Sequence, residues 1–134
     1  DINLYQAHKA LENAARAVRD GGILILVAEC TEGLGHSVFA DWMTSGAAPD
    51  EILARIQEHF LLGGHKAAAI AKVLRRGVRV YLASGMAPEL VKSMGLMPFA
   101  SAQDAVDAAQ RAEGPSADWA VMPHAGSTVP FLMV

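Results

Sequence analysis

The stretch Gly22–Cys30, "GILILVAEC", decides the fold. It is a continuous aliphatic run with no polar alternation, which is how a parallel strand covered on both faces reads, and it predicts the central strand of a layered sheet. It is far too short to span a bilayer, which takes about 20 apolar residues. Upstream, Leu4, Ala7, Leu11, Ala14 or Ala15, and Val18 recur at helical spacing, and "DGG" closes the pattern with glycine. This predicts a helix over Asn3–Arg19, capped by the very first residue, with Gln6, Lys9, Asn13 and Arg16 on its outer side.

Downstream, the two glycines of "TEGLGHS" turn the chain into a short helix at "VFADWM", and "SGAAP" breaks it before a helix from about Asp50 to Phe60. A further helix, "HKAAAIAKVLRR", ends at Gly77. The strand "VRVYLAS" precedes "GMAPELVKSMG", where Pro88 suits the first helical turn and Gly95 the stop. A brief strand at "MPFA" leads into "SAQDAVDAAQRAEG", whose Ser101 and Asp104 have capping-box spacing, and "WAVMP" reads as a fourth strand. Helices alternating with strands imply a three-layer αβα fold, Rossmann-like, with a mainly parallel sheet of about four strands. The 134 residues read as a single α/β domain, 1–134, without repeat or linker.

Composition narrows the function. The chain is 52% hydrophobic but only 6% aromatic, with a net charge of −3, so it offers neither stacking platforms nor a basic stripe for nucleic acid. Cys30 is the sole cysteine, which excludes an internal disulfide and a thiolate metal cage and suits a reducing cytoplasm. No basic leader precedes a hydrophobic stretch, so nothing supports secretion. A start at Asp1 rather than at methionine implies processing or a piece of a longer protein.

In open parallel sheets, ligands gather beyond the carboxyl ends of the strands. Glu29 and Cys30 end the first strand, and Glu32 and His36 follow in its glycine loop, a usable acid/base set. The plainer reading makes Glu29 a cap or turn acceptor and Cys30 a small buried hydrophobe. No metal-ligand spacing is matched. "EGLGHS" suggests a phosphate loop only faintly, being neither G-x-G-x-x-G nor a P-loop with its lysine. His65 and Lys66 open a helix, where the macrodipole disfavours positive charge, so a bound anion or simple exposure must compensate. His8 and His59 read as surface residues of amphipathic helices. His124, after the last strand, faces the crevice or bonds its own turn. Gln6 and Lys9 stand three residues apart on one helix face. An ammonium for a carboxylate beside an amide for a hydroxyl suits a hydroxy acid; a solvated helix face is the competing reading.

Three stretches, "DINLYQAHKALENAA", "ILILVAECTEGLGH" and "FLLGGHKAAAIAKVL", together resemble the C-terminal domain of the lactate racemase family, the nickel pincer nucleotide enzymes. The resemblance runs nearly from end to end. It implies a much longer polypeptide whose N-terminal domain carries the acid/base histidines and the residues that hold the cofactor and its nickel. On this basis the present chain binds no cofactor alone and contributes no catalytic or metal-ligating residue. Its partners are that N-terminal domain and a small 2-hydroxy acid, and its compartment is the cytoplasm. Gln6 and Lys9 match the family's Gln-x-x-Lys and would contact the substrate. His65 stands where the resemblance places a substrate-covering tryptophan, with Lys66 next to it, which implies a substrate larger or more acidic than lactate. Family chemistry is hydride removal from the alpha carbon and return to the opposite face. Glu29, His36 and His124 are secondary candidates. Two readings of other classes compete: a stand-alone α/β module that binds an anionic metabolite or a protein, and a hydrolase with Cys30 as nucleophile and His36 or His124 as base.

Overall fold

In a computed structural model, which describes residues 2–131 and 133, the chain runs α1 (Leu4–Ala14), β1 (Ile23–Val27), α2 (Ser37–Met43), α3 (Pro49–Glu58), α4 (Gly64–Arg75), β2 (Arg79–Ala83), α5 (Pro88–Ser93), β3 (Met97–Phe99), α6 (Ala102–Glu113) and a 3-10 turn (Ala125–Ser127). All strand pairings are parallel, in the order β1-β2-β3, with Ile23 opposite Arg79 and Tyr81 opposite Met97.

The alternation of side chains along the strands splits the core in two. Leu24, Leu26, Val80 and Leu82 face a large cluster with Leu4 and Leu11 of α1 and Ile70 of α4. Ile23, Ile25, Tyr81 and Phe99 face the other way, onto Ala105 and Ala109 of α6. Both faces of the sheet are therefore covered, and the αβα layering expected from the aliphatic run is what forms.

The sheet has three strands among the described residues, not four, and β1 lies at its edge rather than its centre. Trp119–Pro123, expected as a strand, makes no ladder bond, and Trp119 and Val121 stay exposed. The segment that follows is drawn over α1 instead: the Asn13 side-chain amide donates to the Ala125 carbonyl at 2.7 Å. Asn13, expected on the outer face, is buried by this contact. The central strand is β2, four of whose five residues are buried, whereas Val27 at the end of β1 is exposed.

The first helix is also shorter than its periodicity. Its cap is Asn3, whose side-chain oxygen accepts from the Gln6 N–H at 2.9 Å. The expected cap, Asp1, lies outside the described residues. At the other end, bonds from Arg16 to Asn13 and from Ala17 to Ala14 tighten the backbone into a turn. The guanidinium of Arg76 donates to the carbonyls of Ala15 and Val18, satisfying acceptors that a longer helix would have paired internally. At α6, Ser101 accepts from the Asp104 N–H at 3.1 Å, the cap that its spacing predicts.

Candidate functional site

The chain entering α1 runs alongside the loop after β1. Glu32 N–H donates to the Ile2 carbonyl at 2.8 Å, Leu4 N–H to Gly33 at 2.9 Å and Tyr5 N–H to Leu34 at 3.1 Å. With Asn3 holding the Gln6 N–H, the free amides at the start of α1 are consumed by its own cap and by this loop. Gly35 is required by the same docking: a Cβ there would fall 2.6 Å from the Asn3 side chain, at φ +91°. The glycine loop is thus a seat for a helix. The Glu32 amide and the carbonyls of Gly33 and Leu34 are used for that.

Seating α1 in this way places Tyr5 at the centre of a cluster drawn from three elements. Its ring stacks on His36 with centroids 5.0 Å apart and meets Phe39 edge-on at 5.6 Å. The Lys66 ammonium, from the start of α4, lies 3.6 Å from the centroid of the same ring and donates to the Tyr5 carbonyl at 3.3 Å. His8 Nδ1 also reaches that carbonyl, at 2.9 Å, and its Nε2 stands 3.7 Å from the Glu12 carboxylate. Because α4 packs against α1 here, His8 is buried, contrary to the surface position expected for it. Burial lowers its pKa below the usual histidine value, and the charge of Lys66 adds to this against the pull of the Tyr5 carbonyl and Glu12.

The start of α4 is fitted just as closely. The His65 Nδ1 accepts from the Gly63 N–H at 3.1 Å, so the imidazole proton sits on Nε2, and the ring tilts against Phe60 at 5.7 Å. Gly64 lies against Trp42, with 2.8 Å to where a Cβ would sit. Phe60 and Leu62, just before, are exposed.

The model of the lactate racemase C-terminal domain matches residues 1–129. This chain belongs to that family. A lactate racemase of Thermoanaerobacterium thermosaccharolyticum is 28% identical over 114 residues, which cover 82% of this chain and 27% of that protein. The solved lactate racemase apoprotein of the same organism superposes with a TM-score of 0.75 at 27% identity, covering 83% of this chain and 28% of that one. The chain therefore spans about a quarter of the length of these relatives.

Within this lactate racemase C-terminal domain, Gln6 and Lys9 are both exposed on α1, together on one side of the stripe that carries Tyr5. Neither side chain makes a hydrogen bond or ion pair among the described residues. Lys66 and His36 are gathered around Tyr5, whereas His65 turns to Gly63 and Phe60. His36 is engaged as the α2 cap, its Nδ1 accepting from the Val38 N–H at 3.2 Å. Glu29 and His124 are elsewhere. The Glu29 carboxylate lies against Gly85 in the loop after β2, and His124 sits exposed in the C-terminal segment. Cys30 is buried, and burial pushes its thiol pKa up, which opposes the thiolate that the hydrolase reading needs. Among the described residues, no three His, Cys, Asp or Glu side chains converge on a metal position. No helix among them is long and apolar enough to cross a membrane.

Tyr5 and Glu12 escaped the sequence reading. The available signal was the i, i+3, i+7 spacing of Tyr5, His8 and Glu12, which puts an aromatic, an imidazole and a carboxylate on one stripe of α1.

Proposed function

We propose that this domain closes the substrate cleft of a longer lactate racemase-like enzyme that racemises or epimerises a 2-hydroxy acid. The observation that carries the reading is the exposed Gln6 and Lys9 pair, presented on a helix whose start is locked to the β1 loop, in a chain that matches the family over residues 1–129. The Lys9 ammonium pairs with anionic oxygen on the substrate, and the Gln6 amide both donates to and accepts from its hydroxyl. Held on a stiff helix, the two groups orient the acid with only their own side-chain freedom left to lose. The exposed Phe60 and Leu62 beside His65 give the companion domain an apolar rim to close on and shut out water.

By the family resemblance, a nickel pincer nucleotide on the companion domain supplies the hydride chemistry. Among the described residues no three His, Cys, Asp or Glu side chains converge on a metal position, and the role assigned to this chain is substrate contact. The test is Lys9→Ala in the full polypeptide, with racemisation followed by chiral chromatography. Turnover falls by about a hundredfold or more if the ammonium stabilises oxygen charge in the transition state. A rate within twofold of wild type removes Lys9 from the site.

A further inference from the structure

The outer face of α1 is open at one end and covered at the other. Gln6 and Lys9 are exposed, yet Asn13, one helical turn beyond Lys9 on the same stripe, is only 2% exposed. Its cover is the C-terminal segment. The Asn13 amide donates to the Ala125 carbonyl at 2.7 Å, and the Ala125–Ser127 turn packs along α1.

That turn is stiffened from within. The His124 carbonyl accepts from the Ser127 N–H at 3.0 Å and from the Ser127 and Thr128 hydroxyls at 3.2 and 2.8 Å. The Thr128 N–H donates to the Ala125 carbonyl at 3.3 Å, so this carbonyl serves two donors, one of its own turn and one of α1. Gly126, Ser127 and Thr128 are nevertheless exposed and give the core nothing. A self-bonded turn that buries so little, fastened to the helix that carries Gln6 and Lys9, is placed for what it stands beside.

What it stands beside follows from helix geometry. Side chains on a helix lean toward its N-terminus, so the Asn13 amide lies over the turn that begins at Lys9, with the two Cβ atoms about 5–6 Å apart. The Ala125 carbonyl that it holds is therefore on the C-terminal side of the Lys9 stem. The stem itself leans the other way, toward Gln6. A lysine on an open helix face is among the side chains richest in rotamers, and removing some of them in advance leaves less ordering for a substrate to bring about.

We propose that Asn13 is a positioning residue for Lys9: by fastening the Ala125–Ser127 turn across α1 it backs the lysine stem and keeps the ammonium on the Gln6 side. The inference rests on the racemase reading for what Lys9 does, and adds to it a residue that does not touch the substrate.

The experiment uses the full polypeptide with isotopically labelled lysine, as wild type, as Asn13→Ala, and as the double variant Ser127→Ala/Thr128→Val, which loosens the turn from its exposed side. Carbon relaxation reports the order of each lysine side chain. In the wild type Lys9 is more ordered than Lys72, an exposed lysine of α4. In Asn13→Ala it becomes as mobile as Lys72, while Lys66, held on Tyr5, does not change. The double variant moves Lys9 in the same direction. In racemisation, Asn13→Ala lowers kcat about three- to tenfold and leaves KM within about twofold, because orientation of a group that acts in the transition state is lost. A Lys9 as mobile as Lys72 in the wild type, or unchanged when the turn is loosened, overturns the proposal. So does a loss of kcat that comes only with new mobility at Lys66, since that pattern marks general loosening of the fold. If Asn13→Ala does not fold, the double variant decides by the same criteria. If Lys9→Ala leaves turnover unchanged while the order of Lys9 still depends on Asn13, the racemase reading fails and the positioning stands. If Lys9→Ala is slow but Asn13→Ala neither frees Lys9 nor lowers kcat, the reading stands and the positioning fails.

Discussion

Replacing Gly63 by alanine is the sharpest test of how the start of α4 is built. Gly63 has φ +93° and ψ −41°, outside the regions open to residues with a Cβ, and imposing that conformation costs about 1–3 kcal/mol. The new methyl group would also fall 2.6 Å from His36 Nδ1, 2.8 Å from its Cε1 and 3.2 Å from the Phe39 nitrogen. His36 has little room to retreat, being stacked on Tyr5 and bonded to the Val38 N–H. Overpacking of this kind costs about 1–3 kcal/mol, so the sum is about 2–6 kcal/mol, against about 5–15 kcal/mol of total stability for an ordinary domain. The two contributions separate in a double-mutant cycle. In a His36→Ala background the clash with the ring disappears and only the backbone strain and the contact with Phe39 remain. Gly63→Ala should then cost about 1–3 kcal/mol less than in the wild type. Urea unfolding followed by tryptophan fluorescence measures all four proteins. A cost below about 1 kcal/mol in the wild-type background refutes the strained conformation. Equal costs in both backgrounds refute the contact with His36.

Two further outcomes follow from contacts elsewhere. Asn13→Ala removes the amide that holds the Ala125 carbonyl, a buried hydrogen bond worth about 1–2 kcal/mol, so backbone amides around Ser127 and Thr128 should exchange faster with solvent while those of β2 do not change; unchanged exchange there would mean that the C-terminal segment is anchored by something else. The depressed pKa of His8 makes stability depend on pH with a definite sign: from about pH 6.5 downward the unfolded chain takes up a proton that the folded chain resists, so stability is lost as the pH falls from the unfolded value toward the lower folded one. Melting temperatures measured over that window should fall less steeply for His8→Gln than for the wild type, and identical slopes would contradict the burial of His8.

Local periodicity was enough for much of the fold. Leu4, Ala7 and Leu11 point to one side because a helix repeats every 3.6 residues, and no tertiary information is needed to place them inward. The glycine and proline punctuation at Pro49, Gly77, Pro88 and Gly95 likewise acts through the backbone at the residue itself. What failed depends on distant partners. "WAVMP" has the composition of a short strand, but a strand exists only if an edge accepts it, and the bond from Asn13 to Ala125 joins residues 112 apart. The end of α1 was misjudged for the same reason. Arg76, about sixty residues later, takes the carbonyls that a longer helix would have used.

The site divides along the same line, and the division explains what each glycine is for. Gln6 and Lys9 were visible as a spacing because both belong to one helix. The cluster around Tyr5 was not, since Lys66 reaches it from 61 residues away and His36 from another loop. Glycines in "EGLGH" and "LLGGH" invite a reading as ligand loops, yet Gly35 admits the Asn3 side chain and Gly63 admits the His36 ring. Each lets one protein segment press against another, so the start of α1 is gripped from two sides, by the β1 loop through its amides and by α4 through Lys66. A helix fixed at that end carries Gln6 and Lys9 within its first two turns, where the grip is tightest. The direction in which those exposed groups project is therefore set by the packing of Tyr5, and a change at Gly35 or Gly63 should disturb them without touching either one.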